Sequence, residues 1–318
     1  MEYRRLGKSG LKLSAISLGS WLTYGTRVEI EQAKACVRKA YDLGINHFDC
    51  AVVYGNEPHE AERMLGQVLR EFPRHTYTVT SKVFWKVGPS TYDQGLSRKH
   101  IIERVDMSLK AMGLDYIDIY YCHRYDPETD LEETLRALDD LVAQGKILYY
   151  GVSEWSAAQI ERAVSIVDKR NLRPIVVNQP VYNMLNRYIE KEVMPICARE
   201  GIGLAVFSPL AQGVLTGKYK PGMAPPAGTR GADEKTGKFM KGMISDNALL
   251  EKVQRLKPIA ERNGLTMAQL ALAWVLRRPE VTTALIGATR PEQVEENVKA
   301  VGVQLSPEDL KEIDEILA

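Results

Sequence analysis

One rhythm constrains this chain more than any other feature. Eight short runs rich in β-branched and aromatic residues recur along it, and helical periodicity fills most of the gaps between them. The runs are AISLGS (15–20), HFDCA (47–51), YTVTSKV (77–83), YIDIYYCH (116–123), ILYYGVS (147–153), PIVVNQPV (174–181), GLAVFSP (203–209) and TTALIGA (282–288). Stretches such as EIEQAKACVRKAYDLG, SRKHIIERVDMSLKAMG and LEETLRALDDLVAQG place apolar residues at three- and four-residue steps, the spacing of an amphipathic helix. Gly44, Gly113, Gly145 and Gly201 stand where such stretches end, as C-caps do. A helical crossover returns the chain to the same end of a sheet, so the strands run parallel. Eight such units close into a (β/α)8 TIM barrel, whereas open doubly wound sheets usually stop earlier.

Length agrees with that reading. The chain has 318 residues, and a barrel of this kind takes about 250. The surplus falls into an N-terminal stretch with a β-hairpin through KSGLK, a loop at residues 210–249 after the seventh strand, and a C-terminal helix, SPEDLKEIDEILA. Residues 1–318 therefore form a single domain. Loops that long inside a compact domain are usually functional, and this one, with its glycine, proline and lysine, is expected to act as a flap over a ligand.

Composition removes several function classes. The net charge is +1, so nothing in the overall balance draws nucleic acid or an anionic membrane. Cys36, Cys50, Cys122 and Cys197 are the four cysteines, widely spaced and without a CxxC pair, which argues for reduced thiols and against a disulfide framework or zinc cluster. The opening MEYRRLGKSG has no apolar core of a signal peptide, and no apolar stretch is long enough to span a bilayer. The expectation is a cytoplasmic protein.

Common cofactor and catalytic motifs fail. GIGLAV carries Val206 where a dinucleotide fingerprint needs its third glycine, and QGVLTGKY has only three residues between its glycines, so it is not a P-loop. His59 and Glu60 are followed by Arg63 in place of a second zincin histidine, and no metal site is expected. A nucleotide, if bound, is held by other means.

What survives is a constellation. Catalytic groups of a (β/α)8 barrel sit at the C-terminal ends of strands and on the loops that follow. That rule selects Asp49 at the end of the second strand, Tyr54 on the loop after it, Lys82 near the end of the third and His123 closing the fourth. Lys82 lies in a run that otherwise reads as core, and a buried ammonium needs an anion; Asp49 is the nearest candidate. Together the four describe general acid chemistry on a carbonyl. Bringing a phenol from its usual pKa of about 10 to near neutrality takes roughly 4 kcal/mol, a similar amount to what one ammonium at about 4 Å supplies at an effective dielectric near 20. Lys82 is thus expected to acidify Tyr54 and His123 to orient the carbonyl oxygen. None of the four delivers hydride, so reduction requires a cofactor. A desolvated lysine beside Asp and Tyr is also how Schiff-base aldolases capture carbonyls.

The segments GINHFDCAVVYG, EAERMLG, TSKV, DYIDIYYCH, GVSEW, VNQ, FSPLAQGVLTGKY and GATRPEQVEEN resemble the aldo-keto reductases, over essentially the whole chain. The style is closest to the branch holding bacterial general reductases and potassium-channel β-subunits. The resemblance implies an Asp49, Tyr54, Lys82 and His123 tetrad and an extended NADPH across the barrel mouth. It implies Gly19, Ser20 and Trp21 near the nicotinamide ribose and pyrophosphate, with Ser153 and Gln179 on the carboxamide and Phe207 stacked on the ring. Ser208, Pro209, Leu210, Gln212, Gly213 and Leu215 would line the pyrophosphate, with Lys218 and Arg230 on phosphates. Gly287, Thr289, Arg290, Gln293, Glu296 and Asn297 would hold the adenosine half. Two positions depart from the family pattern: Glu154 stands where many members have asparagine, and Phe207 where tyrosine or tryptophan is common. Channel-associated members lack the tetrad histidine, so His123 favours turnover over a purely regulatory, non-turnover NADPH-binding role.

Lys218, Arg230 and Arg290 supply donors for a 2′-phosphate, so NADPH is the expected cofactor, with NADH weaker. Trp21, Tyr24, Tyr54, Trp85 and Tyr125, with His123, are expected to form an aromatic substrate pocket suited to apolar or small aromatic carbonyls. No nucleic-acid or membrane partner is expected, and the sequence allows a homo-oligomer.

Overall fold

Eight parallel strands close into a barrel in the computed structural model, which describes residues 1–25 and 28–318. Two further strands precede them: β1 (Tyr3–Arg5) and β2 (Lys12–Ser14) pair antiparallel as the expected hairpin. The barrel strands are β3 (Ile16–Gly19), β4 (His47–Asp49), β5 (Thr78–Val83), β6 (Ile117–Cys122), β7 (Ile147–Ser153), β8 (Val177–Gln179), β9 (Gly203–Phe207) and β10 (Val281–Ile286). Their order around the ring is β10-β3-β4-β5-β6-β7-β8-β9. Each expected run contains one strand. The run at 174–181 shortens to three residues because Pro174 and Pro180 bring no N–H to a ladder.

Helices cover the outside: α1 (Ile30–Asp42), α2 (Glu60–Leu69), α3 (Arg98–Met112), α4 (Leu131–Ala143), α5 (Ala157–Arg170) and α6 (Val193–Glu200). Side chains stop several of them. Ser97 accepts from His100 N–H, Asp130 from Glu132 N–H, and Ser156 with Gln159 makes a reciprocal box. At the other end, Gly113 takes φ 66° as the C-cap of α3, a conformation that carries no Cβ penalty only for glycine.

Residues 210–249 are more ordered than a bare loop. They carry 3₁₀ turns at Ala211–Thr216, Arg230–Ala232 and Gly237–Phe239, then α7 (Lys241–Ser245), and α8 (Asn247–Arg255) begins inside the segment because Asp246 caps Leu249 N–H. The chain then runs through α9 (Lys257–Arg262), α10 (Met267–Leu276), α11 (Pro291–Val298) and α12 (Pro307–Leu317). The last is the expected extra helix, seated through Ile313 and Ile316.

The hairpin decides which end of the barrel is open. Leu6 and Leu13 are wholly buried against Ile119, Tyr121, Val177 and Ala205, so apolar burial seals the N-terminal end. Function is left to the mouth at the C-terminal ends of the strands. Among the described residues no helix is long and apolar enough to cross a membrane.

Candidate active site

Strand ends aim the polar groups. Asp49 is the last residue of β4 and pairs in register with Gly19; Lys82 sits one residue before the end of β5; His123 follows β6 and donates its N–H to Val83 O at 2.9 Å. Tyr54 lies in the turn after β4, held by its N–H to Ala51 O and by its own carbonyl, which accepts from Ala61 N–H near the start of α2. Gly55 makes that return feasible: its φ is 111°, and a Cβ there would stand 2.7 Å from the Glu60 carboxylate. All four side chains are nearly buried, with Lys82 at 1% and Tyr54 at 8% exposure.

The structure brings the four together. Lys82 Nζ donates to Asp49 Oδ2 at 2.6 Å, to the Cys50 carbonyl at 2.8 Å and to the Tyr54 oxygen at 3.3 Å. Three protons thus have three acceptors, which fixes the nitrogen as an ammonium. Because the phenol oxygen accepts from Lys82, its own proton is free to face the cleft. Asp49 Oδ1 accepts from Thr80 Oγ1 at 2.7 Å and from Gln179 Nε2 at 2.9 Å, so the carboxylate is fully braced. The His123 ring stands edge-on to Tyr54 with centroids 5.8 Å apart.

Electrostatics depart from one expectation. Burial pushes the Tyr54 phenol well above its ordinary pKa, Asp49 and Cys50 add to that rise, and Arg124 opposes it. Lys82 does not dominate because Asp49 at 2.6 Å makes the two nearly neutral as a pair. Burial lowers the Lys82 ammonium, and Asp49 works against that fall. His123 is held well below its ordinary pKa, first by burial and then by the Lys82 and Arg124 charges, so it presents a neutral imidazole.

A cleft of about 840 Å³ opens over these groups, large for a single small substrate. Gly19, Trp21, Asp49, Tyr54, Trp85 and His123 line one part of it; Lys82 does not, lying beneath Tyr54. Ser153, Gln179, Phe207, Ser208, Pro209, Leu210, Gln212 and Gly213 line the next part. Lys218, Arg230, Gly287, Thr289, Arg290, Gln293, Glu296 and Asn297 line the part under the loops that follow β9 and β10.

Besides Lys82, four expected positions lie outside this lining. Ser20 is buried and ties its hydroxyl to the Asp49 carbonyl at 2.9 Å. Leu215 is wholly buried in the core. Tyr24 is 1% exposed and pairs by a backbone bridge with Val28, and Tyr125 packs edge-on against Trp155 at 5.0 Å. Apolar area draws these side chains into packing rather than toward the mouth. Glu154 turns away as well: at φ 58° its carboxylate accepts from Val181 N–H at 2.6 Å and from the Tyr188 hydroxyl at 3.1 Å.

Other lining residues escaped sequence reasoning, among them Thr23, Arg124, Phe239 and Met267. Phe239 comes from the 210–249 segment and meets Trp21 at 5.5 Å, while Trp21 meets Phe207 at 6.2 Å. The segment therefore reaches into the cleft. Thr80, which braces Asp49, shares the inward face of β5 with Lys82, and the two-residue alternation of a strand is the signal for it.

Comparison with known proteins decides the lineage. The Aldo/keto reductase family profile matches residues 15–318. The chain belongs to the aldo/keto reductase family. It is 46% identical to a putative voltage-gated potassium channel subunit beta of Schizosaccharomyces pombe, over all of this chain and 93% of that one. It is 44% identical to a probable voltage-gated potassium channel subunit beta of Arabidopsis thaliana, covering 97% of it. An L-glyceraldehyde 3-phosphate reductase of Escherichia coli is 40% identical over all of this chain and 93% of its own length. Aldo/keto reductases are oxidoreductases of small carbonyl compounds that generally use nicotinamide cofactors.

Proposed function

We propose that this aldo/keto reductase reduces aldehydes or ketones to alcohols, with Tyr54 as the proton donor and NADPH as the cofactor. One observation carries the reading: the Tyr54 oxygen accepts from an ammonium that is itself clamped by Asp49, so the phenol O–H is aimed at the cleft floor. A carbonyl oxygen lying between Tyr54 and His123 would meet two neutral donors, as an oxyanion site requires. As the oxygen gains charge, Tyr54 gives up its proton and the Lys82 ammonium stabilises the phenolate left behind.

The cleft suits a nicotinamide dinucleotide, which would supply the hydride. Ser208, Ala211 and Gln212 take positive φ in the turn after β9, a strained arrangement of the kind whose backbone N–H groups cradle anions. Arg290 is the N-cap of α11, where the helix N-terminus favours phosphate. Phe207 offers its ring to the nicotinamide face. Gln179 spends its Nε2 on Asp49 and keeps its carbonyl oxygen for the carboxamide. Gln293 accepts from Thr289 N–H at 2.8 Å, so it braces the turn at the adenosine end. The Lys218, Arg230 and Arg290 charges support NADPH over NADH.

A second reading is a regulatory subunit that holds NADPH and does not turn over; two relatives are named as potassium channel subunits beta. Following NADPH absorbance with aliphatic, aromatic and dicarbonyl aldehydes separates the two. Sustained multiple turnover supports the reductase; tight NADPH binding with no turnover supports the regulatory subunit.

A further inference from the structure

Arg124 is a cleft-lining charge that the reduction just described does not use. Its Nη1 donates to the His123 carbonyl at 2.5 Å and to Ser153 Oγ at 3.4 Å, and its guanidinium lies 5.4 Å from the centre of the Trp85 ring. These contacts fix the group beside the floor of the site. They leave its other nitrogens uncompensated by charge, since Arg124 forms no ion pair among the described residues.

The oxygens of Asp49, Glu154 and Asp126 are spent on other donors. Asp49 holds Lys82, Glu154 holds Val181 N–H and the Tyr188 hydroxyl, and Asp126 accepts from Leu96 N–H at 2.7 Å and from Thr129 Oγ1 at 2.7 Å. A guanidinium lining a cleft with no counter-charge in an ion pair is able to take one from a ligand, and its planar fork matches a phosphate or carboxylate.

The cofactor does not meet this need. Lys218, Arg230 and Arg290 follow β9 and β10, whereas Arg124 follows β6, which stands across the ring from β10. A phosphate gripped at one side of the mouth is out of reach of the other. The geometry points to Arg124 as the specificity-determining residue for carbonyl substrates that carry an anionic group, phosphate or carboxylate, a few carbons from the carbonyl. This rests on the reductase reading and names its substrate class. Trp85, with its ring under Arg124 and edge-on to His123, walls the path between the carbonyl and the anion.

The test compares matched pairs at saturating NADPH: glyceraldehyde 3-phosphate against glyceraldehyde, and succinic semialdehyde against butanal. The expected kcat/KM favours the charged member by about 10- to 100-fold, the value of one charge-assisted hydrogen-bonded contact. Arg124→Leu collapses that ratio toward one, mainly through KM, and Arg124→Lys restores part of it. A preference in the first pair alone assigns a phosphate, in the second alone a carboxylate, and in both the shared anion chemistry. A wild-type ratio near one, or an Arg124→Leu variant that slows charged and neutral aldehydes equally, overturns the assignment while the neutral aldehydes still report whether the reductase reading stands. Binding of glyceraldehyde 3-phosphate to the NADP⁺-loaded protein, which has no hydride to give, read from tryptophan fluorescence, makes the same comparison without turnover. Affinity lost in Arg124→Leu supports the assignment, and unchanged affinity overturns it.

Discussion

The Lys82 ammonium donates to the Tyr54 phenol oxygen at 3.3 Å while Asp49 grips the same nitrogen at 2.6 Å. The carboxylate therefore does two things to the phenol: it fixes the cation that orients it and cancels most of that cation's acidifying field. In the proposed reduction, proton donation at Tyr54 would depend on aim and on stabilising the phenolate as it forms, more than on a low resting pKa.

Breaking that pair costs stability. Lys82→Met leaves the Asp49 carboxylate buried without its counter-charge, and the expected loss is about 3–5 kcal/mol. The double variant Asp49→Asn/Lys82→Met removes both charges and is expected to lose less than the sum of the two single variants. Urea unfolding of the four proteins measures this; strict additivity would show that the two side chains do not interact.

Stability falls as the solution becomes acidic. Burial lowers the pKa of His47 to about 4 and holds that of His123 well below its ordinary value. The unfolded chain binds these protons near pH 6.5 and the folded one does not, so their contribution is complete above pH 6.5 and is lost as pH drops toward 4. For His47 the full effect is about 3 kcal/mol. Thermal unfolding scanned from pH 8 to pH 4 should show Tm dropping most steeply in that window, and His47→Gln should flatten the drop.

Phe239 ties the 210–249 segment to the cleft through Trp21. An aromatic pair of this geometry contributes about 0.5–1.5 kcal/mol. Phe239→Ala is therefore expected to speed NADPH dissociation by about 3- to 10-fold, measured by stopped-flow fluorescence, with reduction otherwise intact. An unchanged off-rate would mean that the segment does not close over the cofactor.

Cofactor choice follows from the cations on the loops that follow β9 and β10. Arg230 donates to the Gln212 side chain at 3.1 Å, which places its guanidinium beside the turn after β9. Arg230→Met should raise KM for NADPH by about 10- to 100-fold and leave KM for NADH nearly unchanged. Equal kcat/KM for the two cofactors in the unaltered protein would remove this basis for NADPH preference.

The architecture was legible because each βα unit announces itself locally: a β-branched run, a turn, an amphipathic stretch, a capping residue. The contact of Lys82 with Asp49 was legible for a related reason, since a charged lysine inside an apolar strand demands a partner. What escaped depends on contacts far apart in sequence. Tyr24 and Tyr125 looked like pocket aromatics, yet core packing claimed both, and no local pattern distinguishes an aromatic that packs from one that faces a cleft. Phe239 reaches Trp21 across 218 residues of chain, and the direction of Glu154 follows from a positive φ that only the fold imposes. The sign of the Tyr54 shift follows first from how deeply the fold buries the phenol, which no local pattern announces.

Single-turnover reduction of an aldehyde by Tyr54→Phe, mixed with stoichiometric NADPH, tests the central claim most directly. The hydride-transfer step should slow by about 10²- to 10⁴-fold while NADPH affinity, titrated in parallel, stays near that of the unaltered protein. A Tyr54→Phe protein that reduces the aldehyde at the original rate would contradict the assignment of the proton to this phenol.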